Sequence, residues 1–320
     1  MSCINPFLYT ASPAVFNLQL IKQNNHSRQY SVDFPVVTSN YFPGGEIARG
    51  EYFEPIGTEK CPLVIMIHGW GDRSVLPLKW MIDGLIKRGT ACFILYLPFH
   101  TNSLPPEMKR RLSRLTQDEW FTGYQTAVTD VRQILDWAGG NKQINSNQIS
   151  VISLSLGAIV GSLAMGIDNR IKAGVFIVHG GNTGKIMQTN IVSKFGNKYR
   201  LPLNIYQENQ ENYANYLDEV RQKGFDNVVP MQRNYLIDPL TYAPMLKGRK
   251  ILMINARWDE IFPQDSSEDF RKACGGCEQF VLQASHASIW IWYPIIVHRI
   301  NKFLELSYHN RNNIEQEVSR

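Results

Sequence analysis

The sequence predicts an α/β fold in which helices cover both faces of a mostly parallel central sheet. From residue 60 onward, short apolar runs alternate with longer amphipathic segments, a pattern typical of right-handed strand-helix-strand units. The apolar runs are continuous, as expected for strands buried on both faces. Hydrophobic residues make up 44% of the 320 residues and charged residues 19%, so the chain can bury a full core and does not resemble a disordered segment.

The first half of the alternation is predicted as strand 62–67, helix 78–88, strand 91–97, helix 118–138 and strand 148–153. The first helix carries apolar residues at three- and four-residue spacing, and Gly89 follows its end. The second helix begins with acidic residues, which a helix N-terminus favours, and ends at two glycines.

The second half is predicted as helix 156–165, strand 172–178, strand 250–255, helix 265–274, strand 279–282 and helix 288–307. Two segments lie outside the alternation. Residues 28–54 contain β-rich stretches around a Pro-Gly-Gly turn and predict antiparallel strands ahead of the parallel sheet. Residues 184–240 are polar, with a short helical stretch predicted near 212–220, and separate two strands, which is typical of a lid or cap inserted at the carboxyl end of a strand.

These assignments predict a single domain over residues 1–320. Its core is expected at 30–183 and 241–307, with the cap insertion at 184–240. The tail 308–320 is polar, and we expect it to be frayed.

The segment 148–161 carries the clearest chemical signal. A buried strand runs directly into Ser155, and a helix rich in small residues follows. This order is typical of a nucleophile elbow, a sharp turn that exposes a serine and requires small neighbours two residues away on either side. Gly157 meets that requirement, and Ser153 stands where glycine is usual. The alternative is a serine that only caps the helix.

A nucleophilic serine needs a base and an acid that orients the base. Asp259 follows the strand 250–255 and His286 follows the strand 279–282, so both lie where parallel strands end. The order serine, acid, histidine is the one expected on this scaffold. Glu260 adjoins Asp259 and stays an alternative acid. Of the other rival acids, Asp265 is interpreted as a helix cap and Asp238 as a turn residue. The rival bases are His68, His100, His179 and His298, of which His298 lies within the closing helix and is expected to be structural.

The loop 68–72, with the sequence HGWGD, follows the first buried strand and predicts an oxyanion hole. The backbone N–H groups of Trp70 and Leu156 would hold the oxygen. His68, Phe99 and Trp258 are predicted to line the substrate pocket, although the His68 ring could instead hold the loop by hydrogen bonds. A second string, HGGN at 179–182, is interpreted as a flexible exit into the cap, and a place on the pocket wall is the alternative.

Several functions lack support in the sequence. The net charge is +5, and the longest basic cluster, at 109–114, is interpreted as a solvated helix face, so no nucleic-acid partner is predicted. Nucleotide-binding glycine motifs are absent, and the CxxC at 274–277 lacks a second ligand pair, so neither cofactor nor metal is expected. The five cysteines, with no membrane span or signal peptide, predict a cytoplasmic protein. The oligomeric state stays open.

Taken together, the loop HGWGD, the elbow SLSLG, the acid loop NARWDEIFP and the histidine loop SHAS resemble the α/β-hydrolase superfamily over about residues 30–307. Within it, the chain is similar to the bacterial dienelactone-hydrolase-like, acetyl-esterase-like and acyl-peptidase-like enzymes. The resemblance implies that Ser155 is the nucleophile, Asp259 the acid and His286 the base. The chain departs from the pattern by having Ser153 and Ser285 in place of glycines, and a serine where dienelactone hydrolase itself has cysteine.

The leading hypothesis is therefore a serine hydrolase that cleaves carboxylic esters of small molecules through an acyl-enzyme. A peptidase or amidase with the same three residues is the first alternative. A binding protein that keeps the scaffold without catalysis is the second, because two serines replace glycines that usually serve the turn and the loop.

Overall fold

The computed structural model describes residues 5–10, 15–38, 45–98, 100, 115–189 and 200–318, with side chains as far as Tyr308 and excepting that of Asp72. The predicted pocket residue Phe99 and the basic cluster at 109–114 lie outside the described residues. Part of the predicted cap, 190–199, does so as well.

The centre of the molecule is a nine-stranded sheet with the strand order β1-β2-β3-β5-β4-β6-β7-β8-β9. Its strands are β1 (Asn17–Gln23), β2 (Ser27–Pro35), β3 (Ile47–Pro55), β4 (Cys61–Ile67), β5 (Ala91–Tyr96), β6 (Ile144–Leu154), β7 (Ile171–Ile177), β8 (Lys250–Trp258) and β9 (Glu278–Ser285). The first three strands pair antiparallel and β3 joins β5 antiparallel, while all pairs from β5 to β9 are parallel. The predicted fold class is therefore confirmed, and β1 is an additional strand.

The helices are α1 (Leu76–Ile86), α2 (Gln117–Gly140), α3 (Leu156–Ile167), α4 (Thr183–Met187), α5 (Leu203–Lys223), α6 (Pro239–Tyr242), α7 (Gln264–Ala273) and α8 (Tyr293–Val318). A 3-10 turn, Ser288–Trp292, precedes α8. The closing helix continues to Val318, beyond the end at residue 307 that the sequence predicted. No helix among the described residues is long and apolar enough to cross a membrane.

The sheet divides the core into two layers, which explains why its strands are continuously apolar. Along β4, Leu63 and Ile65 pack in one layer, with α2 and α3. The intervening Val64 and Met66 pack in the other, with α1 and α8. All four side chains are fully buried, so neither face of this strand meets water.

The described part of the insertion between β7 and β8 is mostly helical and packs through tyrosines. Tyr213 on α5 is buried, and its ring centre lies 4.6 Å from that of Tyr235 in the 3-10 turn Arg233–Ile237. Tyr242 at the end of α6 is fully buried and contacts Phe225 at 5.0 Å. Aromatic packing of this kind stabilises the insertion against the sheet helices. Its role as a cap stays a prediction.

Candidate active site

Ser155 occupies the turn between β6 and α3. Its backbone has φ 53° and ψ −118°, a conformation that costs a residue other than glycine about 1–3 kcal/mol. The Ser155 N–H donates a 2.9 Å hydrogen bond to the carbonyl of Ile177 on β7, so the neighbouring strand holds the turn in place. The geometry is that expected of a nucleophile elbow.

The structure gives a separate reason for each small residue near Ser155. A Cβ on Gly157 would lie 2.3 Å from the carbonyl oxygen of His68, so only glycine lets α3 approach the loop after β4. Ser153 is accommodated differently. A Cβ on Gly161 would lie 2.5 Å from Ser153 Oγ, which means that a glycine one turn along α3 makes room for the serine.

His286 connects Ser155 to Asp259. The His286 Nε2 lies 3.0 Å from Ser155 Oγ, and the His286 Nδ1 lies 2.9 Å and 3.0 Å from the two carboxylate oxygens of Asp259. A carboxylate can only accept, so the Nδ1–H donates to Asp259 and leaves the Nε2 of a neutral ring to accept from the serine hydroxyl. The structure brings together all three residues that the sequence selected.

Two backbone N–H groups hold Asp259 in position. Its Oδ1 accepts from Ile261 at 2.9 Å and from Phe262 at 2.8 Å, and its side chain is only 2% exposed. The ring of Phe262 also stacks on His286, with ring centres 5.8 Å apart. The acid is therefore shielded from water and fixed in direction before any substrate arrives.

Glu260 has a different contact from its neighbour. Its Oε2 accepts a 3.0 Å hydrogen bond from the backbone N–H of His286. The two adjacent carboxylates thus hold different parts of the same residue: Asp259 the ring and Glu260 the main chain. This resolves the choice of ring partner in favour of Asp259.

Ser285 stands at a position where the pattern described above has glycine. It stabilises the loop that carries His286. The Ser285 N–H donates to Ser288 Oγ at 2.9 Å, and the two hydroxyls lie 3.0 Å apart. The Ser288 N–H donates back to Ser285 Oγ at 3.3 Å. This reciprocal pair brackets His286 and gives the turn the local hydrogen bonds that serine side chains commonly supply.

His68 lies beneath the loop and does not line the cavity, so its assignment to the pocket wall is wrong. Its Nε2 accepts from the N–H of Leu97 at 3.1 Å, and the Nδ1 donates to the carbonyl of Gly69 at 2.7 Å. The residue is only 1% exposed. The ring therefore ties the loop after β4 to the end of β5, which was the alternative role expected for it.

A cavity of about 560 Å³ opens over Ser155 and His286. Its walls are mainly apolar, and their aromatic members are Trp70, Trp80, Trp120, Tyr124, Phe262 and Trp290. Trp258, which was predicted to line the pocket, does not line this cavity; the residue ends β8 and is 62% exposed.

Most of these wall residues were not predicted from the sequence. Trp120 is half-buried and packs against the core at the start of α2, so its spacing looks like that of a core residue. Trp80 is exposed on α1, and a large aromatic residue on the exposed side of an amphipathic helix, close to a loop that carries a site, was the available signal. Burial raises the pKa of Tyr124, so its phenol stays protonated and can act as a neutral donor or acceptor.

The HGGN string after β7 forms a packed corner away from the cavity. The His179 ring is fully buried 4.4 Å from the ring of Phe270, and burial lowers the pKa of His179 to about 3. Its carbonyl accepts from Asn255 Nδ2 and Ser267 Oγ, each at 2.7 Å. The corner thus fixes the exit from β7 into the insertion.

The arrangement can perform acyl transfer. The imidazole can take a proton from the serine hydroxyl, and the buried carboxylate stabilises the charged ring that results. The N–H groups of Leu156 and Gly157, the first two residues of α3, have no acceptor within the helix, and the helix dipole favours negative charge there. An oxygen that becomes negative beside Ser155 would meet these donors.

No family model matches the sequence. Solved structures resemble the chain over nearly its whole length at low identity. Acetyl xylan esterase from Paenibacillus sp. R4 is 16% identical with a TM-score of 0.60, covering 92% of this chain and 88% of its own. A cold-adapted esterase from an Arctic intertidal metagenomic library is 14% identical with a TM-score of 0.57, covering 91% and 99%. A glucuronoyl esterase from Solibacter usitatus is 9% identical with a TM-score of 0.57, covering 94% and 88%.

TM-scores of 0.57 to 0.60 over about nine-tenths of the chain show that the nine-stranded, mostly parallel architecture is shared with these esterases at the level of the fold. Together with the turn at Ser155 and the strand-end positions of Asp259 and His286, the likeness identifies the architecture: the chain has the α/β-hydrolase fold.

Proposed function

We propose that the protein is a serine hydrolase that cleaves carboxylic esters through an acyl-enzyme. The observation that carries the proposal is the hydrogen-bonded chain from Ser155 Oγ through the His286 ring to Asp259, with contacts of 3.0 Å and 2.9 Å. The contact between Ser155 Oγ and His286 Nε2 is within the range in which a base can take a proton from a nucleophile, and the contact between His286 Nδ1 and Asp259 orients that base. The three esterase neighbours agree with this chemistry at the level of fold.

In the proposed reaction, Ser155 Oγ attacks the ester carbonyl while His286 Nε2 takes the hydroxyl proton. Asp259 keeps the ring oriented and stabilises its positive form. The tetrahedral intermediate collapses when His286 passes the proton to the departing alcohol oxygen. Water then attacks the acyl-enzyme, with His286 again as the base, and releases the acid.

The oxyanion hole is proposed to consist of the backbone N–H groups of Trp70 and Leu156. Leu156 is the first residue of α3, so its N–H has no acceptor within the helix. Trp70 belongs to the loop that His68 ties to Leu97, and its side chain lines the cavity beside Ser155. Donors fixed in this way stabilise a developing negative oxygen without having to reorganise.

The cavity favours esters with an apolar acyl group. Its volume of about 560 Å³ is in the range of sites that enclose small organic ligands. Aromatic side chains form much of its wall, so an aliphatic or aromatic acyl chain would bury its surface there.

Hydrolysis of a p-nitrophenyl ester series tests the proposal. We expect turnover by the parent protein and a loss of several orders of magnitude in kcat for Ser155→Ala, with KM little changed. The matched control is Ser146→Ala, because Ser146 is an exposed serine near the opposite end of β6. If Ser155→Ala turned over as fast as the parent, the assignment of the nucleophile would be wrong.

An amidase would use the same three residues, because only the leaving group differs. A panel of aminoacyl-anilides, read beside the p-nitrophenyl esters, separates the two activities. Higher kcat/KM on the anilides than on esters of the same acyl group would replace the esterase proposal with an amidase.

A further inference from the structure

A second cavity, of about 170 Å³, adjoins the cavity over Ser155. The two cavities share four wall residues, Trp120, Tyr124, Thr183 and Met187. Ser155 and His286 line only the larger one. A ligand that reacts at Ser155 could therefore extend past the shared wall into the smaller cavity.

The smaller cavity differs in its chemistry. Amide side chains form the largest group of its lining residues, and aromatic rings form the second largest. It lies between three parts of the chain: the first turn of α2, the segment 182–188 that contains α4, and α5 with the turn 232–238 that follows it. The larger cavity is mainly apolar, so the two suit different parts of one ligand.

Among the described lining residues, Asp238 carries the only formal charge, and this charge is already satisfied inside the protein. Its Oδ1 accepts from the N–H groups of Asn182 at 3.0 Å and Leu240 at 2.9 Å. Its Oδ2 accepts from the N–H of Thr183 at 2.5 Å and from its hydroxyl at 2.9 Å. A carboxylate with this many donors has little capacity for a cationic ligand, so the cavity suits a neutral group.

Several amides retain hydrogen-bonding capacity. Within the part of the chain that the structure describes, the side chains of Gln117 and Asn234 make no hydrogen bond. Gln232 Nε2 donates to Asn209 Oδ1 at 2.7 Å, which leaves the Gln232 oxygen as an acceptor and the Asn209 amide nitrogen as a donor. The wall of the smaller cavity thus carries both uncharged hydrogen-bond donors and uncharged acceptors.

We propose that this cavity is a subsite for a neutral, hydroxyl-rich group: a single sugar ring or a polyol, carried as the alcohol part of the ester. The inference rests on the proposed hydrolase function. Each hydroxyl both donates and accepts, as amides do, and the apolar face of a sugar ring can pack on Trp120 or Tyr235. The volume of about 170 Å³ is below that of a whole drug-sized site, so one ring-sized part of a ligand fits.

The reaction that follows is transfer of the acyl group from the sugar or polyol to water. A bond forms between Ser155 Oγ and the acyl carbon, and the bond from that carbon to the alcohol oxygen breaks. The proton of Ser155 reaches the alcohol oxygen through His286 Nε2. The free sugar or polyol then leaves from the subsite, and water releases the acid from Ser155.

Two octanoyl esters that differ only in the alcohol test the subsite: the ester at the primary hydroxyl of glucose and the ester of cyclohexylmethanol. The variants are Gln117→Leu, Asn234→Leu and the double variant, since these amides make no hydrogen bond within the described chain. The control is Gln207→Leu, because Gln207 is an exposed amide on α5 that lines neither cavity.

The measured quantity is the ratio of kcat/KM for the glucose ester to kcat/KM for the cyclohexylmethyl ester. We expect the ratio to fall about fivefold in each single variant and about 20-fold in the double variant, because each lost hydrogen bond weakens binding by about that factor. The ratio should stay at the parent value in Gln207→Leu. A double variant with the parent ratio would overturn the subsite while leaving the hydrolase function intact.

Calorimetric titration of both esters into Ser155→Ala, with and without Asn234→Leu, gives a readout that needs no turnover. The subsite predicts that Asn234→Leu raises Kd for the glucose ester relative to the cyclohexylmethyl ester, and an equal change in both values of Kd would contradict it. If the parent protein hydrolysed neither ester nor any p-nitrophenyl ester, the proposed function would fail, and the titration would still decide the subsite.

Discussion

The backbone N–H of His286 donates a 3.0 Å hydrogen bond to the Glu260 carboxylate, while the ring of the same histidine donates to Asp259. Two consecutive acids thus bind one histidine at different points. The ring contact sets the tautomer of the imidazole, and the main-chain contact sets the position from which the ring reaches Ser155.

Glu260 is therefore expected to be a positioning residue. We predict that Glu260→Ala lowers kcat on a p-nitrophenyl ester about tenfold with KM unchanged, because a hydrogen bond to a charged group is lost. Glu260→Gln should restore most of the rate, since its amide oxygen can accept the same N–H. Glu278→Ala is the control, because Glu278 is exposed at the start of β9. Equal losses for the Ala and Gln variants would contradict the role.

Gly161 is predicted to be required mainly because residue 153 is serine. Gly161→Ala places a Cβ 2.5 Å from Ser153 Oγ, and overpacking of this kind costs about 1–3 kcal/mol in the free energy of unfolding. Combining it with Ser153→Gly removes the two closest atoms and leaves only Val151 Cγ2 at 3.3 Å, so the double variant should recover most of the stability. Urea unfolding of both single variants and the double variant measures the coupling. Purely additive effects would show that the two positions do not interact.

His179 is expected to make the protein less stable in acid. Burial lowers the pKa of His179 to about 3, so between about pH 6.5 and pH 3 the unfolded chain binds a proton that the native state excludes. The free energy of unfolding should therefore decrease as the pH is lowered from about 6.5 to about 3.

The measurement for His179 is urea unfolding of the parent and His179→Leu at about pH 7 and about pH 5. The variant should lose about 2 kcal/mol less than the parent over this interval. His298→Leu is the control, because His298 is exposed on α8. Parallel losses in the parent and His179→Leu would refute the assignment.

Asp130 is expected to make the protein less stable as the pH rises, the opposite of the effect of His179. Burial raises the pKa of Asp130 well above its usual range, and its Oδ1 has no hydrogen-bond partner among the described residues. The native state thus holds a proton that the unfolded chain releases above about pH 4, and this contribution to stability is lost as pH rises. The thermal stability of Asp130→Asn should match that of the parent at about pH 4 and exceed it increasingly at higher pH. Thermal unfolding across this range checks the prediction, which a constant difference would contradict.

The sequence predicted the central strands well because burial on both faces leaves a continuous apolar run. It did not predict β1, whose residues are almost all exposed at the edge of the sheet. An edge strand with no buried face carries little periodic signal. The helix in the insertion was expected only near 212–220 and extends over Leu203–Lys223, because its polar first half shows no apolar face.

For the site, chain order and strand ends were enough to select Ser155, Asp259 and His286. The division of roles between Asp259 and Glu260 depends on backbone direction, which sequence spacing does not specify. The cavity wall was predicted least well, because Trp80 and Trp290 reach it from separate elements. Trp80 on α1 contacts Tyr293, the first residue of α8, with ring centres 5.7 Å apart, and this contact brings α1 next to the 3-10 turn Ser288–Trp292 that carries Trp290.

The most direct test of the central claim is covalent labelling with a fluorophosphonate, followed by peptide mapping of the adduct. Only a serine activated by a base reacts rapidly with such a probe. The account predicts one adduct on Ser155 in the parent protein, none in Ser155→Ala, and labelling slowed by several orders of magnitude in His286→Ala. A folded parent protein that stays unlabelled, or that is labelled at another residue, would contradict the account.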